Sequence, residues 1–374
     1  MRILQIYRDY FTKLPGGIER HVHDIAHGLS DMGTMEVLAS SRGPRTVTMM
    51  DGDVKVRLVR EFGRPGGIPL SPGFPRVVRQ RRYDVIHQHT PNPTGELATW
   101  LAPKGAARVV TYHADLHRAK RVYPIYQRVL DRFLTKCDRV LVSSRKLIES
   151  SPILSRLTER HPSLVQVVPF GVDPVRFDPE PTEHSDALRR SWGDAPVVLF
   201  VGRLRYYKGV NVLIEAMRDV DATLVVVGEG LMSGNVAATG RQALGPRFVH
   251  VAGVSDEVLP DFYRAADVFC LPSISAAETF GIAGLEAMAS GLPVISTELG
   301  TATSEVNVDG HTGLVVPPRD TGALRAAIEK LLGDGELSAT YGANAAARAR
   351  SNYSKQAMLD AIRRVYTEVA RVAS

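Results

Sequence analysis

Cysteine is scarce in this chain, and its scarcity excludes several classes of protein. Cys137 and Cys270 are the two cysteines among 374 residues, and neither stands at a metal-ligand spacing. A disulfide-stapled secreted domain is therefore excluded, and a reducing compartment is the expected location. We expect both thiols to be small core residues rather than nucleophiles.

Long apolar runs are also missing. No stretch of about 18 consecutive apolar residues occurs, so the sequence predicts no transmembrane helix. The segment from Met1 to Tyr7 becomes polar too soon for a signal peptide and is typical of a first β-strand. These features predict a cytoplasmic protein, and they leave open a peripheral position at the inner face of the membrane.

Acidic residues are under-represented in the first half of the chain. Residues 1–176 carry 28 Lys and Arg against 16 Asp and Glu, a net +12, whereas the remainder carries 18 against 24, a net −6. This asymmetry indicates that the first half meets an anion, such as a membrane surface, a phosphorylated acceptor or nucleic acid. A solvated basic surface without such a partner is the alternative.

What the chain does contain is a repeated alternation of strand-like and helix-like segments. The strand-like segments are short continuous apolar runs, which is typical of strands buried on both faces of a parallel sheet. Helices are predicted from Ile18 to a stop at Gly33, and over 209–217, 257–265, 282–289, 321–332 and 354–372. The predicted strands are 2–7, 35–39, 54–59, 84–87, 108–112, 139–142, 196–202, 222–228, 248–251, 268–271 and 293–296.

The alternation restarts after a segment rich in proline and glycine, and this organises the chain into domains. A length of 374 residues exceeds what one hydrophobic core usually supports. We therefore predict two doubly wound α/β domains, residues 1–172 and 173–353, with a linker near Pro169 to Pro174. The last segment, 354–374, is predicted to be a helix that packs back across the domains.

Residues 62–75 contain so much glycine and proline that they cannot form a continuous helix. Arg76, Arg79, Arg81 and Arg82 follow directly. An apolar loop beside a basic helix would suit contact with a membrane surface. An ordinary long surface loop is the simpler interpretation.

Two carboxylates eight residues apart are the strongest chemical signal. Glu278 follows a predicted strand end at residues 271–273, and Glu286 lies about one turn into the next helix. The N–H groups of Phe280, Gly281 and Ile282 would form the amino end of that helix, which attracts anions such as phosphate. One carboxylate could hold sugar hydroxyls and the other ribose hydroxyls. The alternative is a loop glutamate and a helix-surface glutamate without a joint role.

A pair of cations follows the first strand of the second domain. Arg203 and Lys208 lie in the loop that leads from this strand into a helix. Ligands of doubly wound folds bind at the carboxyl ends of strands, and an Arg fork with a Lys point charge suits a diphosphate. Two solvated cations in a loop are the alternative.

The first domain offers further candidates at its strand ends. Gly16 and Gly17 open the first helix, where they permit close approach of the backbone to a ligand. This segment is not a G-x-G-x-x-G fingerprint, so a nicotinamide cofactor is poorly supported. His113 and Asp115 end the fifth strand and would face a cleft between the domains, where a histidine can bond a hydroxyl or exchange protons. His87 and His89 end the preceding strand and could line the same cleft.

Several motifs occur together along nearly the whole chain, and their combination is specific although each alone is weak. They are Gly16-Gly17, His113, Phe170-Gly171-Val172-Asp173, Gly202-Arg203, Lys208-Gly209, Gly228-Glu229-Gly230, Glu278 and Glu286 with Ala287-Met288-Ala289, and Gly291-Leu292-Pro293-Val294-Ile295. In this combination the chain resembles the retaining glycosyltransferases of family 4, which have the GT-B fold. The resemblance implies two Rossmann-like domains that face a deep interdomain cleft.

The resemblance also implies a nucleotide-sugar donor bound mainly by the second domain. Arg203 and Lys208 would neutralise the diphosphate, Glu286 would hold the ribose, and Glu278 would hold hydroxyls of the donor sugar. The backbone of residues 280–282 would support phosphate and sugar, with Gly17 reaching the donor from the first domain.

On the acceptor side, the resemblance implies roles for Gly16, His113 and Asp115. The family's favoured mechanism is front-face attack, in which the departing phosphate takes the acceptor's proton, so catalysis rests on Glu278, Arg203, Lys208 and His113 through charge and positioning. No metal and no other cofactor is expected. A nucleotide sugar and a hydroxyl acceptor, lipid-linked or small, are the implied partners, and nucleic acid is not.

Two segments look most like bacterial mannosyl- and rhamnosyltransferases of polysaccharide assembly, namely residues 112–118 and 205–208. They favour GDP-mannose as donor, with a UDP-sugar next. Residues 273–278 are less polar than in many relatives, so the sugar contacts there stay open. A sugar-nucleotide epimerase and a non-catalytic anion- or membrane-binding protein are the competing functions.

Overall fold

The computed structural model describes residues 1–10, 16–115 and 123–373. Contacts divide the chain into two compact units, one formed by Met1–Pro169 and the segment from Met358 onward, the other by Phe170–Ala357. Each unit is a Rossmann-like α/β fold with its own core, so the predicted fold class is confirmed. The division between the units falls three residues before the predicted boundary.

Within the described residues the first unit contains an eight-stranded sheet in the order β3-β4-β2-β1-β5-β6-β7-β8. Strand β3 pairs antiparallel with β4, and the other neighbours are parallel. The strands are β1 (Arg2–Ile6), β2 (Thr34–Ser41), β3 (Val47–Asp51), β4 (Val54–Arg60), β5 (Val85–Thr90), β6 (Ala107–Tyr112), β7 (Arg139–Val142) and β8 (Val165–Val167).

Short helices connect these strands. They are α1 (Gly17–Gly28), α2 (Phe74–Arg79), α3 (Pro93–Trp100), α4 (Tyr123–Leu134), α5 (Arg145–Ser150) and α6 (Pro152–Arg160). Helix α1 buries Val22 and Ile25, as their spacing predicts. It ends at Gly28 rather than at the predicted Gly33, because a short 3₁₀ turn, Ser30–Met32, follows the last α-helical residue.

The sequence pattern does not predict β3 or β8, because β3 is mostly exposed and β8 is only partly buried. Residues Val47 to Met50 of β3 are all exposed, so the strand has no buried face to give an apolar pattern. It is an edge strand held by its antiparallel pairing with β4.

The second unit contains, in its described residues, a six-stranded parallel sheet in the order β11-β10-β9-β12-β13-β14. Its strands are mostly buried and mostly apolar, and core residues lie on both faces of the sheet. The strands are β9 (Val197–Val201), β10 (Thr223–Val227), β11 (Phe248–Val251), β12 (Val268–Leu271), β13 (Val294–Thr297) and β14 (Gly313–Val316).

The helices of the second unit cover both faces of this sheet. They are α7 (Glu183–Trp192), α8 (Val210–Ala216), α9 (Ser233–Leu244), α10 (Leu259–Arg264), α11 (Ile282–Ala289), α12 (Thr303–Val306), α13 (Thr321–Gly333) and α14 (Gly335–Asn352). The predicted helices over 209–217, 257–265, 282–289 and 321–332 are all present, with ends that shift by up to two residues.

The segment predicted as a linker is part of the second unit's core. Phe170 and Val172 are buried, and the Val172 N–H donates to the Tyr353 carbonyl at 2.8 Å. Lys355 pairs with Asp173 at 2.9 Å. The segment is therefore held by packing and hydrogen bonds rather than by chain connectivity alone.

The last helix, α15 (Lys355–Ala373), joins the core of the first unit from Met358 onward. Ile362, Val365 and Tyr366 on one face are buried there. No helix in the described part of the chain is both long and apolar enough to span a membrane. Cys137 and Cys270 are buried, as expected, and burial raises the pKa of both thiols.

Candidate active site

Two neighbouring strands of the second unit carry the candidate residues at their carboxyl ends. Strands β9 and β12 pair in parallel, and the connections leave them toward opposite edges of the sheet. In open α/β sheets, ligands bind outside the carboxyl ends of strands at such a reversal of strand order. The loop after β9 carries Arg203 and Lys208, and the loop after β12 carries Glu278.

Lys208 and Glu278 form a buried ion pair. Nζ of Lys208 lies 2.5 Å from Oε2 of Glu278, and the two residues are 9% and 7% exposed. Burial by itself lowers the pKa of Lys208, but the carboxylate of Glu278 and the neighbouring Tyr207 together outweigh it, so the pKa lies above its ordinary value. Ser273 Oγ donates to the same carboxylate oxygen at 3.0 Å. The pair keeps a cation buried and charged at the end of β9.

Glycines allow the loops around this pair to approach one another. Gly209 has φ 69°, and a Cβ there would lie 2.0 Å from the Pro272 carbonyl oxygen. Gly228 has φ 135°, and a Cβ there would lie 2.1 Å from the Gly202 carbonyl oxygen. Both distances are shorter than any side chain tolerates, so the glycines of these sequence motifs are required by the backbone itself.

The amino end of α11 presents its backbone without a side-chain cap. Gly281 is the N-cap residue in the left-handed region, with φ 81°. In the described part of the chain the N–H groups of Gly281 and Ile282 have no hydrogen-bond acceptor, as suits an anion site. The Phe280 side chain is buried 4.9 Å from the Phe170 ring, so only its backbone is placed for a ligand.

The second carboxylate is not part of the ion pair. Glu286 lies in α11 and is 6% exposed, and its Oε2 accepts a hydrogen bond from the Tyr263 hydroxyl at 2.7 Å. The two glutamates thus have different partners. Glu278 pairs with the ammonium of Lys208, and Glu286 accepts a hydrogen bond from the hydroxyl of Tyr263. Arg203 is exposed, yet it is near enough to Lys208 to oppose the rise in that lysine's pKa.

A cavity of about 310 Å³ lies beside the same loop, lined by residues that include Arg205, Tyr206 and Arg319. Neither Lys208 nor Glu278 belongs to its lining. We therefore locate the candidate site by its charges and strand ends rather than by this cavity.

The first unit carries a buried group of four histidines, which we call the histidine cluster: His21, His87, His89 and His113. His113 follows β6, and its N–H donates to the Thr90 carbonyl at 3.0 Å. The His89 and His113 rings stack 5.3 Å apart, and His87 and His89 stack 4.4 Å apart. The sheet brings these residues together because β5 and β6 are neighbours in register.

Hydrogen bonds across three strands fix the tautomer of His113. Gln5 Nε2 donates to the Val22 carbonyl, so Gln5 Oε1 is the atom that accepts from His89 Nε2 at 3.0 Å. Because His89 Nε2 carries the proton, its Nδ1 is an acceptor and receives the proton of His113 Nε2 at 3.1 Å. His113 Nδ1 is then left without a proton, as an acceptor.

Burial keeps the histidine cluster neutral. It lowers the pKa of His21 and of His87 to about 3, the latter with help from His21. Burial, followed by the neighbouring histidines, also holds the pKa of His89 and His113 well below the usual range. His87 bonds Tyr366 through Nδ1 at 2.6 Å and Thr111 through Nε2 at 2.7 Å. The cluster therefore offers neutral donors and acceptors.

The remaining predicted residues occupy the ends of elements in the first unit. Gly16 is the N-cap of α1 and Gly17 is its first residue. Asp115 is half-buried and accepts hydrogen bonds from the Tyr112 and Ser151 hydroxyls. The motif residues Leu14, Pro15, Leu116, His117 and Arg118 lie outside the described residues.

Sequence reasoning missed the partners that orient these groups. Tyr263 stands on the apolar face of α10, where a tyrosine is typical of core, and Ser273 follows a strand like any loop serine. Gln5 is the one polar residue within the buried run Ile3–Ile6, and a polar residue at such a position is the signal that could have identified it.

Family models match both halves of the chain. The model described as "Glycosyltransferase Family 4" matches residues 15–176, and the model described as "Glycosyl transferases group 1" matches residues 186–348. The O-antigen chain mannosyltransferase C of Escherichia coli is 31% identical over 372 residues, which covers 98% of each chain. The D-rhamnosyltransferase WbpZ of Pseudomonas aeruginosa is 32% identical over 360 residues, which covers 95% of this chain and 92% of the relative.

Solved structures share the fold over nearly the full length. Sucrose-phosphate synthase from Thermosynechococcus elongatus superposes with a TM-score of 0.80 at 23% identity, covering 100% of this chain and 99% of that one. HepE from Anabaena, solved with UDP-glucose, superposes with a TM-score of 0.79 at 21% identity, covering 98% and 99%.

The fold class is thus GT-B, the class of glycosyltransferases with two Rossmann-like domains. Within it, the chain belongs to glycosyltransferase family 4, as its motifs predicted. It is an enzyme of the glycosyltransferase type.

Proposed function

We propose that the protein transfers a hexose from a nucleotide-diphosphate sugar to a hydroxyl acceptor, with retention of anomeric configuration and without a catalytic metal ion. The bond between the anomeric carbon and the diphosphate oxygen breaks, and a bond from that carbon to the acceptor oxygen forms. The acceptor's proton passes to the departing phosphate. The protein then needs to stabilise charge on the leaving group and to position the reactants.

The observation that carries this proposal is the buried Lys208, which pairs with Glu278 in the loop that leads into the open amino end of α11. A desolvated ammonium interacts strongly with a diphosphate, because the local dielectric constant is low. The uncapped N–H groups of Gly281 and Ile282 add partial positive charge without the need for a metal ion. Arg203, exposed in the same loop, can close on the second phosphate.

The two carboxylates take separate roles in this proposal. Glu278 holds Lys208 in the charged state before the donor binds and offers its oxygens to sugar hydroxyls afterwards. Glu286, oriented by Tyr263, holds the ribose hydroxyls. Gln in place of either would keep the shape and lose the charge.

The histidine cluster supplies the acceptor-side group. His113 with a bare Nδ1 can accept a hydrogen bond from a hydroxyl but cannot donate one through that atom. Asp115 orders the chain that follows His113 through its bonds to Tyr112 and Ser151. We assign no dedicated base, since the departing phosphate can take the proton.

A mannose-type donor is preferred, with a UDP-sugar next. The relatives named as a mannosyltransferase and a D-rhamnosyltransferase support the first choice. HepE, solved with UDP-glucose, supports the second but is similar at the level of fold.

The test measures nucleotide binding and donor breakdown, neither of which requires the acceptor. Thermal melts with GDP, UDP, GDP-mannose and UDP-glucose should show a stabilisation with one base, about 2.7 kcal/mol at a hundredfold excess over Kd. Glu286→Gln should weaken nucleotide binding, whereas Glu305→Gln, on α12, should not. Stabilisation by none of the four ligands would contradict the proposal.

Slow transfer of the sugar to water tests the stereochemistry and the metal. Proton NMR should show first the anomer present in the donor, with the other appearing later by mutarotation. Addition of a chelator should leave the rate unchanged. An inverted first product, or a rate that needs added metal, would overturn that part of the proposal.

Peripheral membrane contact is proposed for the first unit. Phe62 and Leu70 are 67% and 46% exposed and are joined by a backbone hydrogen bond, and the Arg60 guanidinium lies over the Phe62 ring. Arg76 and Arg79 are exposed on α2 nearby in sequence. Flotation with anionic vesicles should be lost in Phe62→Ser/Leu70→Ser and kept in Val175→Ser, an exposed apolar residue of the second unit. Equal flotation of both variants would contradict the assignment.

A further inference from the structure

A compact set of metal-binding side chains lies in the first unit, apart from every residue assigned above. His23 and His27 stand four residues apart on α1, so both rings lie on one face of the helix. Asp51 is the last residue of β3, the exposed edge strand. One candidate ligand atom from each of the three residues lies within 4.8 Å of the other two.

Both histidine rings approach the same carboxylate oxygen of Asp51. Asp51 Oδ2 lies 3.2 Å from His27 Nε2 and 3.8 Å from His23 Nε2. The two imidazole rings lie 4.1 Å apart, tilted by 34°. A single hydrogen bond satisfies the His27 contact, but 3.8 Å is too long for one to His23.

Both nitrogen–oxygen distances are close to the separation of two ligand atoms on a tetrahedral ion. With bonds of about 2.0 Å, two ligand atoms on tetrahedral Zn²⁺ lie about 3.3 Å apart. The two nitrogen–oxygen distances bracket this value. An ion at this position would draw His23 Nε2 closer to Asp51 Oδ2 than the present 3.8 Å.

The surroundings add a group that would orient the carboxylate. The Tyr10 hydroxyl donates to Asp51 Oδ2 at 2.5 Å, and outer hydrogen bonds of this kind position metal ligands. The three side chains are between 28% and 35% exposed, so an ion has access from solvent and a water can take the fourth position. Gly52 packs against the His27 ring, with a Cβ there reaching 3.6 Å from its Cε1.

We propose that His23, His27 and Asp51 bind a Zn²⁺ ion that fastens the edge strand β3 to helix α1. Two imidazoles and one carboxylate form a donor set for Zn²⁺ and similar transition metals, whereas Mg²⁺ and Ca²⁺ require oxygen ligands. The ion is structural, and it is separate from the metal-independent transfer proposed above.

A link of this kind would stabilise the edge strand β3. Residues Val47 to Met50 are all exposed, so β3 is held by its pairing with β4 and gains little from the core. An exposed apolar edge strand is prone to pair with other chains. A link from Asp51 to α1 would hold the β3–β4 hairpin against the body of the sheet.

The tripeptide Asp51-Gly52-Asp53 has Asp-x-Asp spacing, yet it forms the tight turn between β3 and β4. Asp53 is exposed and does not belong to the set. The ligand set was invisible in the sequence because the third ligand comes from a strand that has no recognisable pattern.

The test uses the full chain stripped with a chelator and then titrated with ZnCl₂, MgCl₂ or CoCl₂. We expect one equivalent of Zn²⁺ to bind and to raise the melting temperature, Mg²⁺ to do neither, and Co²⁺ to give the intense visible bands of a tetrahedral site. His23→Gln and His27→Gln should each abolish the Co²⁺ bands. Tyr10→Phe should weaken Zn²⁺ binding by about 10-fold to 100-fold.

A matched control separates a metal site from a simple ion pair. His184 pairs with Asp261 at 2.9 Å but belongs to no group of three metal-binding side chains among the described residues, so His184→Gln should leave Zn²⁺ binding unchanged. Circular dichroism and nucleotide binding of every variant verify folding and keep this result independent of the proposed transfer reaction. Absence of stoichiometric Zn²⁺ binding, or equal binding by His27→Gln and the unmodified chain, would overturn the proposal.

Discussion

The two units differ in the charge of the polar side chains that they bury. Each buries polar side chains at the carboxyl ends of parallel strands. In the second unit a charged lysine is kept charged by a carboxylate at 2.5 Å. In the first unit, burial lowers the pKa of the members of the histidine cluster and keeps them neutral.

The difference shows that burial alone does not decide the charge of a site. What decides it is whether the fold brings a group of opposite charge within about 4 Å. A paired, charged site is prepared for an anion such as a diphosphate, since the ligand can replace the carboxylate as the partner of Lys208. A neutral cluster is prepared for hydroxyl groups. This matches the division of donor and acceptor roles that we propose.

The largest expected effect comes from breaking the ion pair on one side. Lys208→Met leaves Glu278 buried without its cation, which should cost about 3–5 kcal/mol of unfolding free energy. The double variant Lys208→Met/Glu278→Leu should recover most of this stability, and neither variant should transfer sugar. Urea unfolding and donor turnover measure the two effects.

The control for this prediction is the exposed ion pair Lys355–Asp173. Its atoms lie 2.9 Å apart, but the side chains are about one-third exposed. Lys355→Met should therefore cost less than about 1 kcal/mol. Equal losses in the two lysine variants would show that burial of the Lys208 pair has no energetic consequence.

The next prediction tests whether a buried carboxyl group is neutral in the folded protein. Glu96 of α3 is buried, and burial raises its pKa to about 7, against the hydrogen bonds from the Asn92 N–H and the Tyr126 hydroxyl. The folded pKa exceeds the unfolded one, so this group's stabilising contribution is complete below about pH 4.5 and is lost as the pH rises through about 7. Up to about 3 kcal/mol is involved.

Glu96→Gln removes this titration, so its unfolding free energy should fall less than that of the unmodified chain between about pH 5 and pH 8. Glu336→Gln, an exposed carboxyl at the start of α14, should follow the unmodified chain. Parallel pH profiles for Glu96→Gln and the unmodified chain would show that the carboxyl is ionised in the folded state.

A smaller effect of the opposite sign is expected from the histidine cluster. The folded pKa of His87 is about 3, below its unfolded value of 6.5. Its contribution to stability is therefore complete above about pH 6.5 and is lost as the pH falls, by about 2 kcal/mol at pH 5. His87→Gln, which keeps hydrogen-bonding groups near Tyr366 and Thr111, should flatten this acid slope in urea unfolding.

His161→Gln, at an exposed position of the same unit, serves as the control. Its acid slope should equal that of the unmodified chain. If His87→Gln and His161→Gln behave alike, the buried ring takes up its proton over the same pH range as in the unfolded chain, and the contrast between the units fails.

The smallest expected effect concerns Glu286, whose carboxylate accepts a hydrogen bond from the Tyr263 hydroxyl. Tyr263→Phe removes the hydroxyl at 2.7 Å from Glu286 and should weaken nucleotide binding by about 1 kcal/mol, or roughly fivefold. Tyr341→Phe, at another largely buried tyrosine of the second unit, is the control. Unchanged nucleotide affinity in Tyr263→Phe would mean that Glu286 needs no orienting bond.

Much of the fold could be predicted because buried parallel strands have a distinctive composition. Runs such as Val197–Val201 and Thr223–Val227 are continuous, aliphatic and bounded by glycine, and all predicted strands are present. Strands β3, β8 and β14 could not be predicted, since their burial is partial and their patterns are weak. The predicted end of α1 at Gly33 was wrong. The helix ends at Gly28, and a glycine inside an apolar helical pattern does not by itself indicate the last turn.

The sequence by itself determined the alternation of strands and helices, and with it two largely parallel sheets, the loop position of Glu278 and the helical position of Glu286. Only the tertiary structure decided which groups meet. Lys208 pairs with Glu278 because β9 lies beside β12, and Gln5, His89 and His113 form one hydrogen-bonded chain because β1, β5 and β6 are neighbours. Strand order is set by the packing of the whole sheet, and it cannot be predicted from the local sequence.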